Sequence, residues 1–477
     1  MKLSQVVGIV VALVVVALLG YYLGSMSQQP QTTAPPSQTT ASPQPTTPSA
    51  PKKITFYTWW AGLERFAIDA VIGNFTKKTG IAVEKTAVPG GAGVNAKFAI
   101  LALMQAGDPP AAFQVHCGPE MLSYIYVAPK GEASFMELSN VAKEIDMSTQ
   151  APDVLSACSL NGKVFALPVN IHRANLIFIN KQVLDKLGGS VPTTLDDLVA
   201  LCKKASAAGM PCLIQAGADQ FTVLHLWEQV FLAVAGPQKF IMFMYGTLPP
   251  DDPSLKQATE KFLELAKSFP ANWPALDWTG AVADLVAGKG LAHVDGDWVV
   301  GLIYNVYPQV KMCPYTSITP DCNIVVAPFP GTQGVYNLVI DSVAVPAGGP
   351  TTRLGIEFVK FFAGPEGQSI FNPLKGSIAV YKNIDPAIYP TPIQRWEVQE
   401  YRDARSYVFS LTHGALFSDV WQMLLQQAIV LVQTGRADLW YDTLSKALST
   451  ERSLWKDTWY LGAPGKPFGG YQPPWVK

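Results

Sequence analysis

Aromatic, carboxylate, amide and imidazole side chains follow the first strand-like runs of this chain. Trp59 and Trp60 end one apolar run and Glu64 comes within a helical turn of them, while Gln114 and His116 end a later run. An indole can cover the apolar face of a sugar ring, and the polar groups can exchange hydrogen bonds with its hydroxyls. These residues indicate a carbohydrate site. The alternative is that the tryptophans are core residues and Glu64 is a solvated helix residue.

The elements that would position these side chains alternate between strand and helix. Short apolar runs predict strands at 54–58, 81–88, 112–116, 163–168, 291–294 and 324–328. Helical patterns are found at 63–78, 95–105, 194–208, 254–268 and 353–362, and several times after Ala404. The alternation predicts parallel α/β units, in which ligands bind beyond the carboxyl ends of the strands. Two α/β lobes are the economical architecture for 477 residues.

Composition and motifs exclude several classes of protein. The 35 basic and 36 acidic residues give a net charge of -1, which argues against nucleic-acid binding. With 49% hydrophobic and 15% charged residues, the main body is not intrinsically disordered. The sequence has no phosphate-binding loop, nucleophile elbow, HExxH pair or CxxC pair, so we predict no metal and no cofactor. Gly90 and Gly91 precede a predicted helix, where backbone amides can hold an anion or a hydroxyl.

The N-terminal segment predicts a location. Residues 6–25 are uncharged and almost wholly apolar, long enough to cross a hydrocarbon core about 30 Å thick. We therefore predict a transmembrane anchor, or alternatively a removed signal, over 1–26, followed by a Pro/Thr/Ser-rich stalk over 27–51. Lys2 lies before the span and no further basic residue occurs until Lys52, which places the body outside the cell.

Six cysteines in an oxidising compartment favour disulfides over metal binding. Two close pairs can each bridge a short loop, which leaves the remaining two cysteines for each other. Other connectivities stay open. The expected pairs are Cys202–Cys212, Cys313–Cys322 and Cys117–Cys158.

Eight segments, in order along most of the body, resemble one family, the extracellular solute-binding proteins, family 1, of ABC importers. Within that family they are most similar to the glucose/mannose-binding branch of thermophilic prokaryotes. The segments are WWAG (59–62), GGAGVNA (90–96), FQVH (113–116), VNIHR (169–173), HLWE (225–228), GDW (296–298), PGTQGV (330–335) and FNPLKGSI (371–378).

The resemblance implies an α/β, two-lobed, periplasmic-binding-protein-like clamshell (type II), with the ligand in the cleft between lobes that close by hinge motion. The first lobe would comprise 52–165 and 329–372, and the second 166–328 and 373–477, including the C-terminal helices and tail. The tail over 437–477 extends beyond the resemblance, and we expect it to wrap a lobe; an importer-docking or second carbohydrate surface is the alternative.

Residue roles can be carried over from the family motifs. The ligand-binding residues would be Trp59, Trp60, Glu64, Gly90, Gly91, Gln114, His116, Trp278, Asp341, Lys375 and His413. Trp278 would stack on the sugar ring, Asp341 would be a bidentate acceptor and Lys375 its cationic counterpart.

Other residues of the same motifs have structural explanations. Trp227 and Trp298 are expected to pack in the second lobe. His172 and Arg173 are expected to fix the hinge rather than touch the ligand. His225 and His293 are expected to be structural histidines.

These observations predict a monomeric, membrane-tethered extracellular receptor. It would capture glucose, mannose or galactose and deliver the sugar to ABC permease subunits, without enzymatic activity and without binding nucleic acid. Three alternatives remain: a receptor for a glucose-containing oligosaccharide, a glycoside hydrolase using Glu64 and Asp341, and a structural surface protein without a small-ligand site.

Overall fold

The computed structural model describes residues 52–90, 93–415, 419–456, 459–463 and 465–476. Residues 51–477 form one compact unit. The predicted anchor over 1–26, the predicted stalk over 27–51 and Gly91 lie outside the described residues. Within the described residues, no helix is both long enough and apolar enough to span a membrane.

A mixed five-stranded sheet forms the centre of the first lobe. In spatial order its strands are β2 (Ala82–Ala87), β1 (Lys53–Thr58), β3 (Ala112–His116), β11 (Asp341–Ala344) and β4 (Ala166–Pro168). β1 pairs in parallel with β2 and β3, whereas β11 is antiparallel to both β3 and β4. The expectation of purely parallel units is therefore wrong here, because the chain enters β11 only on its return from the second lobe.

A four-stranded sheet forms the centre of the second lobe. In spatial order its strands are β7 (Ala292–Asp295), β6 (Leu176–Asn180), β9 (Ile324–Pro328) and β8 (Met312–Pro314). β6 is antiparallel to both neighbours, and only β8 and β9 pair in parallel. All residues of these four strands are buried, and three of the strands are almost wholly apolar, as expected for a sheet that is covered on both faces.

The segments that cross between the lobes form a small sheet of their own. Its strands are β5 (His172–Arg173), β10 (Val335–Val339) and β12 (Ser406–Phe409), with β10 in the middle. β10 is parallel to β12 and antiparallel to β5. β5 precedes the second-lobe sheet and β10 directly precedes β11, so this sheet joins two passages of the chain between the lobes.

Helices occupy the connections between these strands and most of the C-terminal region. In chain order they are α1 (Arg65–Thr79), α2 (Val94–Ala106), α3 (Pro119–Val127), α4 (Ser139–Glu144), α5 (Met147–Gln150), α6 (Pro152–Ala157), α7 (Lys181–Lys186), α8 (Leu195–Ala207), α9 (Phe221–Met244), α10 (Pro253–Ala266), α11 (Trp278–Val286), α12 (Trp298–Val306), α13 (Thr352–Ala363), α14 (Pro365–Lys375), α15 (Pro392–Asp403), α16 (Asp419–Thr434) and α17 (Ala437–Trp455). The ends follow local chemistry: Gly80 ends α1 at φ 70°, and Thr194 starts α8 with a capping box to Asp197.

All three expected disulfides are present: Cys117–Cys158, Cys202–Cys212 and Cys313–Cys322. The first follows β3 directly and joins it to the end of α6. The second joins α8 to the chain that follows it, and the third closes the loop between β8 and β9.

The C-terminal tail contacts both lobes rather than one. On the first lobe, Leu461 forms a bridge with Leu160, and Gly462 donates its N–H to the Ser159 carbonyl. On the second lobe, the Leu461 N–H donates to the Tyr245 hydroxyl at 3.1 Å. The Phe468 ring lies 4.6 Å from the ring of Phe409 in β12. The tail therefore also reaches the small sheet between the lobes.

Candidate functional site

A cavity of about 420 Å³ lies between the two lobes. Its size falls within the usual range for small-molecule sites, roughly 300–1,000 Å³. Nine of the eleven predicted ligand-binding residues line it: Trp59, Trp60, Glu64, Gly90, His116, Trp278, Asp341, Lys375 and His413. Of the other two, Gly91 lies outside the described residues and Gln114 lies behind the cavity surface.

The tryptophan pair divides between cavity and core. Trp59 is half-buried, and its indole lies 4.8 Å from the His116 ring. Gly93, at φ 100°, lets the backbone approach that indole, because a Cβ there would lie 3.0 Å from it. Trp60 borders the cavity but is only 1% exposed, and its ring packs against Phe371. Trp59 therefore offers the accessible ring face.

Asp341 begins β11 and faces His116 across the sheet. Its carboxylate accepts hydrogen bonds from Gln114 Nε2 at 2.9 Å and Asn170 Nδ2 at 2.8 Å, and its Oδ2 lies 3.2 Å from His172 Nε2. Burial alone would raise the pKa of Asp341, but the hydrogen bond and charge of His172 lower it well below its usual range. The carboxylate is thus held ionised at the cavity wall.

Gln114 acts on the site indirectly. It is fully buried; its Oε1 accepts the backbone N–H of Trp59 at 3.1 Å, and its Nε2 donates to Asp341. Gln114 does not border the cavity, and its predicted contact with ring hydroxyls stays a prediction. Gln114 links the positions of Trp59 and the carboxylate.

His172 lines the cavity, whereas it was expected only to fix the hinge. Its Nδ1 contacts Asp297 and its Nε2 contacts Asp341. Burial lowers the pKa of His172, but the two carboxylates outweigh burial and raise it overall. Arg173 faces away and pairs with Glu400 at 3.2 Å, as expected for a residue that stabilises the crossing segment.

His413 has the opposite electrostatic environment. Burial, followed by neighbouring His225 and His116, lowers the pKa of His413 well below its usual value. The Ser410 hydroxyl donates to Glu228 at 2.9 Å, so its oxygen accepts the Nδ1–H of His413 at 3.0 Å. That network leaves Nε2 of the neutral ring as a hydrogen-bond acceptor.

Lys375 and Glu64 form an ion pair at the cavity, with Nζ and Oε1 2.8 Å apart. Burial would lower the pKa of Lys375, but the charges of Glu64 and Asp341 raise it overall. The direct partner of Lys375 is therefore Glu64 rather than Asp341, which acts on it through charge. Lys375 ends α14, and the close approach of Gly376 and Gly301 fixes that end: a Cβ at Gly376 would lie 2.4 Å from the Gly301 nitrogen.

The second lobe contributes Trp278 and Trp298. Trp278 is the first residue of α11, and its N–H donates to Asp219 Oδ2 at 2.8 Å. Trp298 packs at the start of α12, as expected, but it also borders the cavity, where its ring lies 5.4 Å from the His172 ring. Trp227 packs in the core on Phe231, as expected.

Several residues that line the cavity were not predicted from the sequence: Asp219, Phe221, His172, Trp298 and Thr279. Asp219 lies in a loop before α9, where no motif marks it. His225 and His293 make the expected structural contacts, to the carbonyls of Ala174 and Ile214. Within the described residues, no group of acidic, histidine or cysteine side chains is arranged to hold a metal.

Comparison with known proteins agrees with this architecture. The glucose-binding protein GlcS of Saccharolobus solfataricus is 33% identical over 443 residues, covering 89% of this chain and 79% of that protein. The ABC transporter extracellular-binding protein PH1214 of Pyrococcus horikoshii is 31% identical, covering 81% of this chain and 84% of that protein.

Solved structures show the fold. The bacterial solute receptor AcbH, described as having an exclusive preference for β-D-galactopyranose, superposes with a TM-score of 0.71 at 15% identity, over 85% of this chain and all of that one. The two-lobed fold is therefore that of solute receptors. The profile of the bacterial extracellular solute-binding proteins matches residues 60–369, and the chain belongs to that family.

Proposed function

We propose that this protein is the extracellular substrate-binding subunit of an ABC sugar importer, which captures glucose or a related hexose and delivers it to the permease. The observation that carries the proposal is the cavity between the lobes, where the half-buried indoles of Trp59 and Trp278 accompany a buried, ionised Asp341 and a neutral His413. Aromatic faces and fixed hydrogen-bonding groups suit a neutral polyol ring. The name of GlcS supports glucose as the first candidate.

The protein would bind the sugar without reacting with it. A glycoside hydrolase needs one protonated carboxylic acid beside the scissile bond. Asp341 has a lowered pKa and is not prepared to donate a proton, and the Glu64 carboxylate is engaged by the Lys375 ammonium at 2.8 Å. Turnover of an aryl glycoside, lost in Glu64→Gln, would contradict this part of the proposal.

A glucose-containing oligosaccharide is the second candidate. A small cavity continues from the main one past Glu64, Lys375 and Trp278 towards Asn305 in α12. Its volume of about 10 Å³ holds about one water, so a second sugar ring would have to move these side chains apart to enter.

Isothermal titration of the full-length chain tests the proposal. Glucose, galactose, mannose and maltose would each be titrated, and we expect a one-to-one isotherm for at least one monosaccharide. Asp341→Ala should abolish it. Binding of maltose alone would favour the oligosaccharide candidate, and no binding of any sugar would refute the proposed function. Association with the permease, at the extracellular face of the membrane and as a monomer, is a further part of the proposal.

A further inference from the structure

We propose that Asp219 is a ligand-recognising residue, which accepts a hydrogen bond from one sugar hydroxyl on the second-lobe side of the cavity and so sets which sugars the protein retains. The inference rests on the proposed function as a sugar receptor. It adds a carboxylate from the second lobe to a site whose other lining carboxylates, Glu64 and Asp341, lie on the first-lobe side.

The two carboxylate oxygens of Asp219 have different surroundings. Oδ2 accepts the backbone N–H of Trp278 at 2.8 Å, which fixes the Asp219 side chain at the start of α11. Oδ1 receives no hydrogen bond from any part of the chain that the structure describes, and the residue borders the cavity. The hydrogen bond to Oδ2 thus holds Oδ1 in a fixed position, where it can accept a hydrogen bond from the ligand.

The charge of Asp219 has no basic partner among the residues with described positions. Its charged neighbours are acidic: Asp277, Asp295 and Glu64. By contrast, Glu64 pairs with Lys375, and Asp341 is bound by amide and imidazole donors. Burial and these acidic neighbours raise the pKa of Asp219, which means that they disfavour its charged form. A hydrogen bond donated by a sugar hydroxyl would stabilise that charge.

This geometry predicts selectivity for a single position on the sugar. A carboxylate held in a half-buried site discriminates strongly against an analogue that lacks the bonded hydroxyl, because the oxygen is then left desolvated and unpaired. Removing the carboxylate should remove that discrimination at one ring position and leave the others unchanged.

Titrations with glucose and its singly deoxygenated analogues test the inference. In the wild type, one analogue should bind roughly 10- to 100-fold more weakly than glucose through loss of the Asp219 contact. Asp219→Ala should bind glucose more weakly by a similar factor, and that same analogue should then show no further loss. The remaining analogues should lose affinity equally in both proteins.

Two further variants separate recognition from a structural role. Asp277→Ala removes the carboxylate that caps the same helix by accepting the Gly280 N–H, but Asp277 does not border the cavity. This control should keep the wild-type discrimination. In Asp219→Asn, the side-chain oxygen can still accept the backbone N–H of Trp278. This variant is used in place of Asp219→Ala if the alanine variant does not fold.

Each outcome decides the matter. Equal weakening of all analogues in Asp219→Ala would show that the residue only positions Trp278, and unchanged affinity would show that it has no role; either result overturns the inference while sugar binding stands. If the wild type binds another tested sugar but not glucose, the same comparison with deoxygenated forms of that sugar decides the inference by the same criteria. A wild type that binds no sugar would overturn the proposed function and this inference together.

Discussion

His172 and His413 border the same cavity, but their surroundings shift their pKa values in opposite directions. For His172, the carboxylates of Asp297 and Asp341 outweigh burial and favour the imidazolium. For His413, burial is reinforced by His225 and His116, and the ring stays neutral. The cavity therefore favours the charged form of one histidine and the neutral form of the other.

The raised pKa of His172 should depend on Asp341. Asp341→Asn removes one of the two charges that favour the imidazolium but keeps an oxygen that can accept from Nε2. We expect the pKa of His172 to fall in this variant, measured by NMR titration of its imidazole protons. An unchanged His172 titration would contradict the assigned electrostatic coupling.

The lowered pKa of His413 should make the protein less stable in acid. In the unfolded chain a histidine titrates near its usual pKa of about 6.5, whereas the folded state binds this proton only at lower pH. The unfolded state therefore binds more protons as the pH falls below about 6.5, and the free energy of unfolding decreases. His172 contributes with the opposite sign, since its raised pKa gives stability that is lost as the pH rises.

Comparison with His413→Gln isolates this contribution, because His172 is present in both proteins. Denaturant unfolding is measured between pH 5 and 8, which extends about 1.5 pH units on either side of the usual histidine pKa. The free energy of unfolding should fall less towards low pH in the variant than in the wild type. Parallel curves for wild type and variant would contradict the prediction.

At the scale of elements, the contact of α12 with the end of α14 determines where Lys375 lies. Gly301 sits inside α12, and a Cβ there would come within 2.4 Å of the Lys375 carbonyl oxygen. Gly301→Ala should force the two helices apart and cost about 1–3 kcal/mol of unfolding free energy, despite the better helix propensity of alanine. It should also weaken sugar binding by moving Lys375 away from Glu64.

The matched control is Gly73→Ala in α1. Gly73 is also helical, but nothing lies within 4 Å of the added Cβ. This change should stabilise the protein slightly, by roughly 0.5–1 kcal/mol. Denaturant unfolding and sugar titration of both variants test the prediction, and a Gly301→Ala protein as stable as Gly73→Ala would contradict it.

Local pattern predicted many elements well. The strand over 112–116 has the predicted bounds. Helix α8 begins after Thr194 because Thr194 and Asp197, three residues apart, form a local capping box. The antiparallel direction of β11 was not predictable from alternation, because it depends on when the chain returns from the other lobe. Nor did any local pattern mark Asp219, whose position at the cavity depends on the packing of its loop against the start of α11.

At the scale of the whole molecule, the lobes are joined by more than the crossing segments. Besides the small sheet of β5, β10 and β12, the tail contacts Ser159 and Leu160 on one lobe and Tyr245 on the other. None of the described tail residues after 456 borders the cavity. The tail should therefore contribute to stability without contributing to the ligand contacts.

Leu461→Ala tests this separation. The Leu461 side chain is fully buried where the tail meets both lobes. Its truncation should reduce the unfolding free energy by about 2–5 kcal/mol, because a cavity replaces a packed side chain. The sugar affinity should change by less than about threefold, since the ligand contacts lie elsewhere. The exposed Lys466, replaced by alanine, is the control within the same segment and should leave both quantities near wild type.

The two measurements together decide how the tail takes part in closure. If the tail contacts persist when the lobes close on the sugar, Leu461→Ala destabilises the free and the bound protein equally, and the affinity stays constant by thermodynamic linkage. If closure breaks the contacts, the variant loses more stability in the free state and binds sugar more tightly than the wild type. We expect the first result, because Phe468 packs on Phe409 of the small sheet that joins the lobes, and Leu461 contacts Leu160 and the Tyr245 hydroxyl away from the cavity.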